Sequence, residues 1–133
     1  MSARTVLAAV TTISAIALPL AAVSPAQASH GGGGDVRTHG GCAGSAVWKL
    51  KVKPDSGRIE FEGEVDSNHN GQVWDWRIKH DGSVSAHGSS TTSGASGSFS
   101  VHRRMANLSG TDSFTFRAER RANGDVCRGT IAL

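Results

Sequence analysis

From Trp48 to Asp66 apolar and charged residues alternate twice over. The first half reads Trp-Lys-Leu-Lys-Val-Lys, the second Arg-Ile-Glu-Phe-Glu-Gly-Glu-Val-Asp, with Pro54-Asp55-Ser56-Gly57 between them. A period of two is that of a strand with one buried face, and Pro, Asp and Gly supply a turn. A four-residue loop places Lys53 opposite Arg58. Val52 then faces Ile59, Leu50 faces Phe61 and Trp48 covers Gly63, while Lys51 meets Glu60 and Lys49 meets Glu62 on the other face. A slip of one residue would set apolar against charged along the whole ladder, so the register is expected to be firm. Each cross-strand pair contributes only about 0.2–1 kcal/mol, and the hairpin therefore requires a second layer.

The same alternation recurs downstream. Gln72–His80 puts Trp74, Trp76 and Ile78 on one face and Asp75, Arg77 and Lys79 on the other. Asp81-Gly82 is a two-residue hairpin turn, and Ser83–Ser89 follows as a polar edge strand with His87 facing Trp76. Ser90–Gly97 is a Ser/Thr/Gly-rich loop. Ser98–Arg104 points Phe99 and Val101 inward, and Met105–Gly110 crosses over with Leu108 as a plug. Thr111–Arg120 aligns Phe114, Phe116 and Ala118. A two-residue turn at Asn123-Gly124 sets Ala118 against Gly129, Phe116 against Ile131 and Phe114 against Leu133. The pattern predicts seven antiparallel strands folded as an all-β sandwich of immunoglobulin or fibronectin-III type over 42–133, with Trp74 or Trp76 as its central aromatic.

The N-terminus changes the picture. Arg4, an apolar run from Val6 to Val23 and the small-x-small site Ala26-Gln27-Ala28 mark residues 1–28 as an export signal, with cleavage expected after Ala28. Pro19 and Pro25 argue against a retained membrane anchor. Ser29–Gly41, rich in glycine and histidine, is expected to be a disordered leader. In an exported chain the two cysteines, Cys42 and Cys127, should form a disulfide. With 14 Lys and Arg against 11 Asp and Glu, the charge is too balanced for a nucleic-acid binder. No second apolar run could span a membrane once the signal is removed.

Leu108-Ser-Gly-Thr-Asp-Ser-Phe114-Thr-Phe-Arg-Ala118 resembles the start of the sixth strand in fibronectin-III-like domains, although a chain without tyrosine forms no tyrosine corner. A wider resemblance rests on Cys-x-Gly-Ser-x-x-Trp-Lys-Leu-Lys (Cys42 to Lys51), Asp-x-Asn-x-x-Gly-Gln-x-Trp (Asp66 to Trp74), Gly-Ala-Ser-Gly-Ser-Phe (Gly94 to Phe99) and a late cysteine. Together with the export signal and the Gly-rich leader, these make the chain similar to small secreted actinobacterial proteins. That resemblance implies export and a sandwich fold. It carries no catalytic residue and no cofactor.

Four patterns offer chemistry. Asp66-Ser-Asn68-His-Asn70-Gly71 matches the first half of a calcium loop, but Arg77 stands where the closing acid belongs, and a strand connection explains the same residues. Cleavage after Ala28 would expose Ser29-His30, whose amine, amide and imidazole suit Cu(II); solvated histidines are the plainer explanation for His30, His39, His69, His80, His87 and His102. No Gly-x-Ser-x-Gly elbow occurs, and Glu60, Glu62 and Glu64 form a solvated strand face. Arg103, Arg104, Arg117, Arg120, Arg121 and Arg128 crowd the last three strands, either as edge protection or as a surface for anionic envelope polymers. Three function classes follow: a non-catalytic module binding a protein or polymer at the envelope or outside the cell, a small copper- or calcium-binding protein, and a minimal enzyme with its site in loops.

Overall fold

A computed structural model describes residues 34–133; the export signal expected at 1–28 and the Ser29-His30 start expected after its cleavage lie outside the described residues. Eight strands follow one another: β1 (Val36–Gly41), β2 (Val47–Asp55), β3 (Arg58–Asp66), β4 (Val73–His80), β5 (Ser83–Thr91), β6 (Ser98–Ala106), β7 (Ser113–Arg120) and β8 (Val126–Ala132). They form two antiparallel sheets, β1-β2-β3-β6 and β5-β4-β7-β8. Among the described residues no helix is long and apolar enough to cross a membrane.

The count is eight rather than seven because Val36–Gly41, expected to be disordered leader, pairs with β2 as an edge strand. Its Val36, Thr38 and Gly40 alternate half-buried with exposed Arg37, His39 and Gly41. Glycine hides this strand from a compositional reading, yet Gly40 is what β2 requires opposite Trp48. A Cβ on Gly40 would lie 2.6 Å from the indole. The strand order also departs from the A-B-E-D over C-F-G partition of immunoglobulin constant domains, since the first three strands stay together and the sixth joins them.

In the first and last hairpins the faces are as expected, but partners are displaced. In the first hairpin the turn is Ser56-Gly57 alone, with φ of 49° and 77°. Positive φ at both turn residues matches the right-handed twist of the flanking strands, so Pro54 and Asp55 remain in β2. Val52 therefore faces Phe61, Leu50 faces Gly63 and Trp48 faces Val65, two residues from the expected register. The last hairpin errs in the opposite sense. The Arg120 N–H donates to the Asp125 carbonyl across a longer loop, within which the Asn123 side chain accepts from the Asp125 N–H. Ala118 thus faces Cys127, Phe116 faces Gly129 and Phe114 faces Ile131. An even displacement leaves every side chain on its expected face.

Between β4 and β5 the displacement is odd. A bulge at Ile78/Lys79 skips Ser85, so His87 lies opposite Arg77, and Gly88 rather than His87 lies opposite Trp76. The bulge gives the Trp76 ring a bare backbone to cover.

Phe61 from one sheet packs between Phe114 and Phe116 of the other, with ring centroids 5.7 and 6.2 Å away. Trp74 meets Phe99 at 6.4 Å. Leu108, expected as a plug, is 47% exposed, and Met105, 7% exposed, fills the interior at that end instead. The strand continues to Ala106, which keeps Met105 on the inward face and leaves Leu108 in the turn beyond. Trp48 spans the β1/β8 side. It covers Gly40, reaches Gly129 on the opposite sheet and donates Nε1–H to the Gly41 carbonyl at 3.1 Å. Beside it Cys42 and Cys127 are joined as a disulfide linking the two sheets, as an oxidising compartment permits.

Two outcomes test this packing. Replacing both cysteines by serine should lower the unfolding free energy by about 3–5 kcal/mol, read from urea midpoints in oxidising buffer. Gly129→Ala places a Cβ 2.5 Å from the Trp48 ring and should cost about 1–3 kcal/mol, with a smaller loss when combined with Trp48→Phe.

Candidate functional site

The outer faces of the two sheets differ in how their charges are arranged. On the first, Lys49, Lys51 and Lys53 of β2 stand directly opposite Glu64, Glu62 and Glu60 of β3, with N···O distances of 3.1, 3.1 and 3.4 Å. The observed register provides each lysine with a glutamate, including Lys53, which the expected register left facing Arg58. Arg104 of β6 adds a contact to Asp55 at 3.2 Å. The β2–β3 pairs form an electrically matched ladder in which each pair contributes about 0–1 kcal/mol, while Arg37 of β1, opposite Lys51, turns to Asp35 at 3.4 Å.

On the second sheet the register does the reverse. Arg77 of β4 lies opposite Arg117 of β7, Arg117 lies opposite Arg128 of β8, and His87 of β5 flanks Arg77 on the other side. Each of these arginines alternates with buried neighbours and so points outward. Like charges directly opposite one another destabilise a sheet. Arg117 has one partner, Glu119, at 2.7 Å; Arg77, Lys79 and Arg128 form no ion pair among the described residues. Arg77, Lys79, Thr115, Arg117 and Arg128 line a small depression of about 90 Å³. A broader groove of about 410 Å³ adjoins it, sharing Arg77 and Arg117 and adding Asp75, His87 and Ser89.

The groove ends at a charged tie. Arg121 grips Asp75 through both carboxylate oxygens, at 2.6 and 3.1 Å, and Ser89 bonds the same carboxylate. The Arg121 hydrogen bonds, then that of Ser89, hold the exposed Asp75 carboxyl down at about 2. This tie anchors the β7–β8 loop to β4 and β5. Beyond it a cleft of about 600 Å³ is lined by His69, Asn70, Gln72, Arg120 and Arg121 among others. Arg120 has its Nε buried without a hydrogen-bond partner.

The six arginines expected as one surface therefore separate. Arg103 turns inward at the sheet edge, its guanidinium 5.0 Å from the Trp76 ring centroid, while Arg104 belongs to the matched face. Arg120 and Arg121 flank the end cleft. Arg117 and Arg128 remain on the cationic row, joined by Arg77 and Lys79, which the sequence reading passed over. Their outward alternation on β4 was the available signal; that three arginines share a row becomes visible only with the register.

The Asp66–Gly71 segment is a strand connection in this structure. Asp66 Oδ1 accepts the Asn68 N–H at 3.1 Å, and Asn68 adopts φ of 58°. Ser67 donates to carbonyls of His69 and Gly97, and the Gly71 N–H donates to Thr92. Asn70 lines the end cleft. His30 lies outside the described residues. A cluster that sequence reasoning missed joins His80, Asp81 and Asp112, whose ligand-type atoms lie within 4.8 Å of one another. His80 Nε2 sits 2.5 Å from Asp112 Oδ1, and its ring stacks on Phe114 at 4.4 Å. Asp112 Oδ1 also accepts the Leu108 N–H, and Asp81 Oδ1 accepts that of Ser113. This polar clamp, with His80 and Asp112 buried and Asp81 at the surface, fastens the β4–β5 turn to the β6–β7 crossover.

No known protein family, curated protein or solved structure matches the chain.

Because the folded Asp75 carboxyl sits below the ordinary range near 3.9, its tie to Arg121 is fully present above about pH 4 and is lost as pH falls through about 2. Arg121→Ala should move the Asp75 titration, followed by carboxyl NMR, back toward the ordinary value.

Proposed function

We propose that this chain is a secreted, non-catalytic β-sandwich module that binds an anionic polymer at the cell envelope or outside the cell. One observation carries the reading: Arg77, Arg117 and Arg128 occupy a single row on the outer face of β4, β7 and β8. A sheet face arranged for stability alone would resemble the opposite one, where each lysine meets a glutamate. Three adjacent arginines oppose folding slightly and attract a polyanion strongly. Neighbouring strands lie about 4.8 Å apart, so the row presents cations at regular intervals across the strands, as a repeating anion requires. Arg120 and Arg121 line the cleft at the end of the sheet, and the groove between carries Asp75 and Glu119 as well as Arg77 and Arg117. A two-sheet sandwich is also the architecture of immunoglobulin and fibronectin-III modules, and the export signal and disulfide fit work outside the cytoplasm.

Binding to immobilised polyanions at low ionic strength tests the reading. Affinity should fall at least about tenfold when salt is raised well beyond the screening threshold near 0.1 M. Arg77→Ala with Arg128→Ala should abolish most of the binding, while Lys49→Ala with Lys51→Ala should leave it nearly intact. Equal losses from both pairs, or binding insensitive to salt, would overturn the proposal.

A further inference from the structure

We infer that the depression between β4, β7 and β8 is a subsite for one tetrahedral oxyanion, so that the polymer recognised is a phosphate- or sulfate-bearing one rather than a polycarboxylate. The inference rests on the reading of this face as the polymer surface and narrows its ligand class. It begins from the register. Beneath the row Arg77–Arg117–Arg128 lies a second row in which Lys79 stands opposite Thr115. Thr115 is short and half-buried, so it forms a floor among the longer Arg77, Lys79, Arg117 and Arg128 side chains that rise around it. A hollow results where a uniform row of arginines would have left a ridge.

Size and chemistry point the same way. About 90 Å³ accommodates a few water-sized units, which suits a single phosphoryl or sulfuryl group better than a whole sugar ring. The donors number three guanidinium forks, one ammonium and the Thr115 hydroxyl, arriving from three strands. A planar carboxylate offers two oxygens, which one guanidinium fork already satisfies. A tetrahedral group offers three or more oxygens in different directions, and arginine forks grip such oxygens in bidentate fashion. Charge agrees with geometry. Glu119 offsets Arg117 alone, leaving Arg77, Lys79 and Arg128 to balance an anion.

The test uses the disulfide-bonded protein at constant ionic strength. Inorganic phosphate, sulfate and acetate are titrated separately while amide and arginine Nε–H resonances are followed by NMR. Saturable shifts at Thr115, Arg77, Arg117 and Arg128 are expected with phosphate, and acetate should give none. Sulfate behaving like phosphate would identify tetrahedral geometry as the feature recognised; phosphate acting alone would identify a phosphoryl group. Thr115→Val keeps the shape without the hydroxyl and should weaken phosphate about three- to tenfold, and Arg128→Gln at least tenfold. Lys51→Gln, on the opposite face, serves as the control for folding and general charge. Equal, non-saturating shifts with all three anions would overturn the inference. A second arm compares a poly(glycerol phosphate) with polygalacturonate of matched charge. Equal binding of both through the cationic face would sink the oxyanion subsite while the polymer reading stands, whereas binding of neither would sink both.

Discussion

Each sheet of this sandwich sends one tryptophan toward an open side, and the fold depends on how those two rings are seated. Trp48 of β2 lies over Gly40 of the edge strand β1, and Trp76 of β4 lies over Gly88 of the edge strand β5. Both indoles donate their N–H locally, Trp48 to the Gly41 carbonyl and Trp76 to Ser90 Oγ. A flat ring needs a residue without a side chain beneath it, and this requirement fixes the edge strands. It draws Val36–Gly41 into the first sheet and explains the bulge that brings Gly88 into place in the second. Aromatic cover also shields the bare backbone of strands that would otherwise be weak.

With the interior closed in this way, the outer faces are free to differ. The β2–β3 face is a matched ladder of lysine and glutamate, which satisfies itself and has little electrostatic reach. The β4–β7–β8 face concentrates like charge in a row. Both arise from the same alternation, and what separates them is which residue the register sets opposite. The clamp of His80, Asp81 and Asp112 holds one end of the sandwich, and the Arg121–Asp75 tie holds a loop at the margin of the cationic face.

The sequence was legible in faces and much less so in partners. Alternation placed nearly every large apolar side chain inward, because a strand has only two sides. It could not tell a two-residue turn from a four-residue one. Ser56 carries a positive φ that its side chain does not advertise, whereas Asn123-Gly124, a strong turn signal, is spent on a longer loop in which Asn123 bonds Asp125. Two even errors in register left the core intact, but the one at the last hairpin set Arg117 against Thr130 instead of Arg128, and the pairing of β4 with β7 that joins Arg77 to Arg117 has no signal in the alternation, so the candidate site was invisible as a unit. The arginines were recognised by residue type and grouped by closeness in sequence, which mixed Arg103 and Arg104, from the other sheet, with Arg117 and Arg128.

The two open sides are not sealed alike. Along β1 and β8 a covalent bond reinforces Trp48. Along β5 and β6 the seal is the Trp76 ring beneath the Arg103 guanidinium, a contact contributing about 0.5–2 kcal/mol. Local opening follows the weaker seam, which of these two is the one between β5 and β6. Since β5 borders the groove beside the arginine row, the molecule is stiff where its sulfurs join and more compliant beside the surface proposed for binding, like a book bound at one edge.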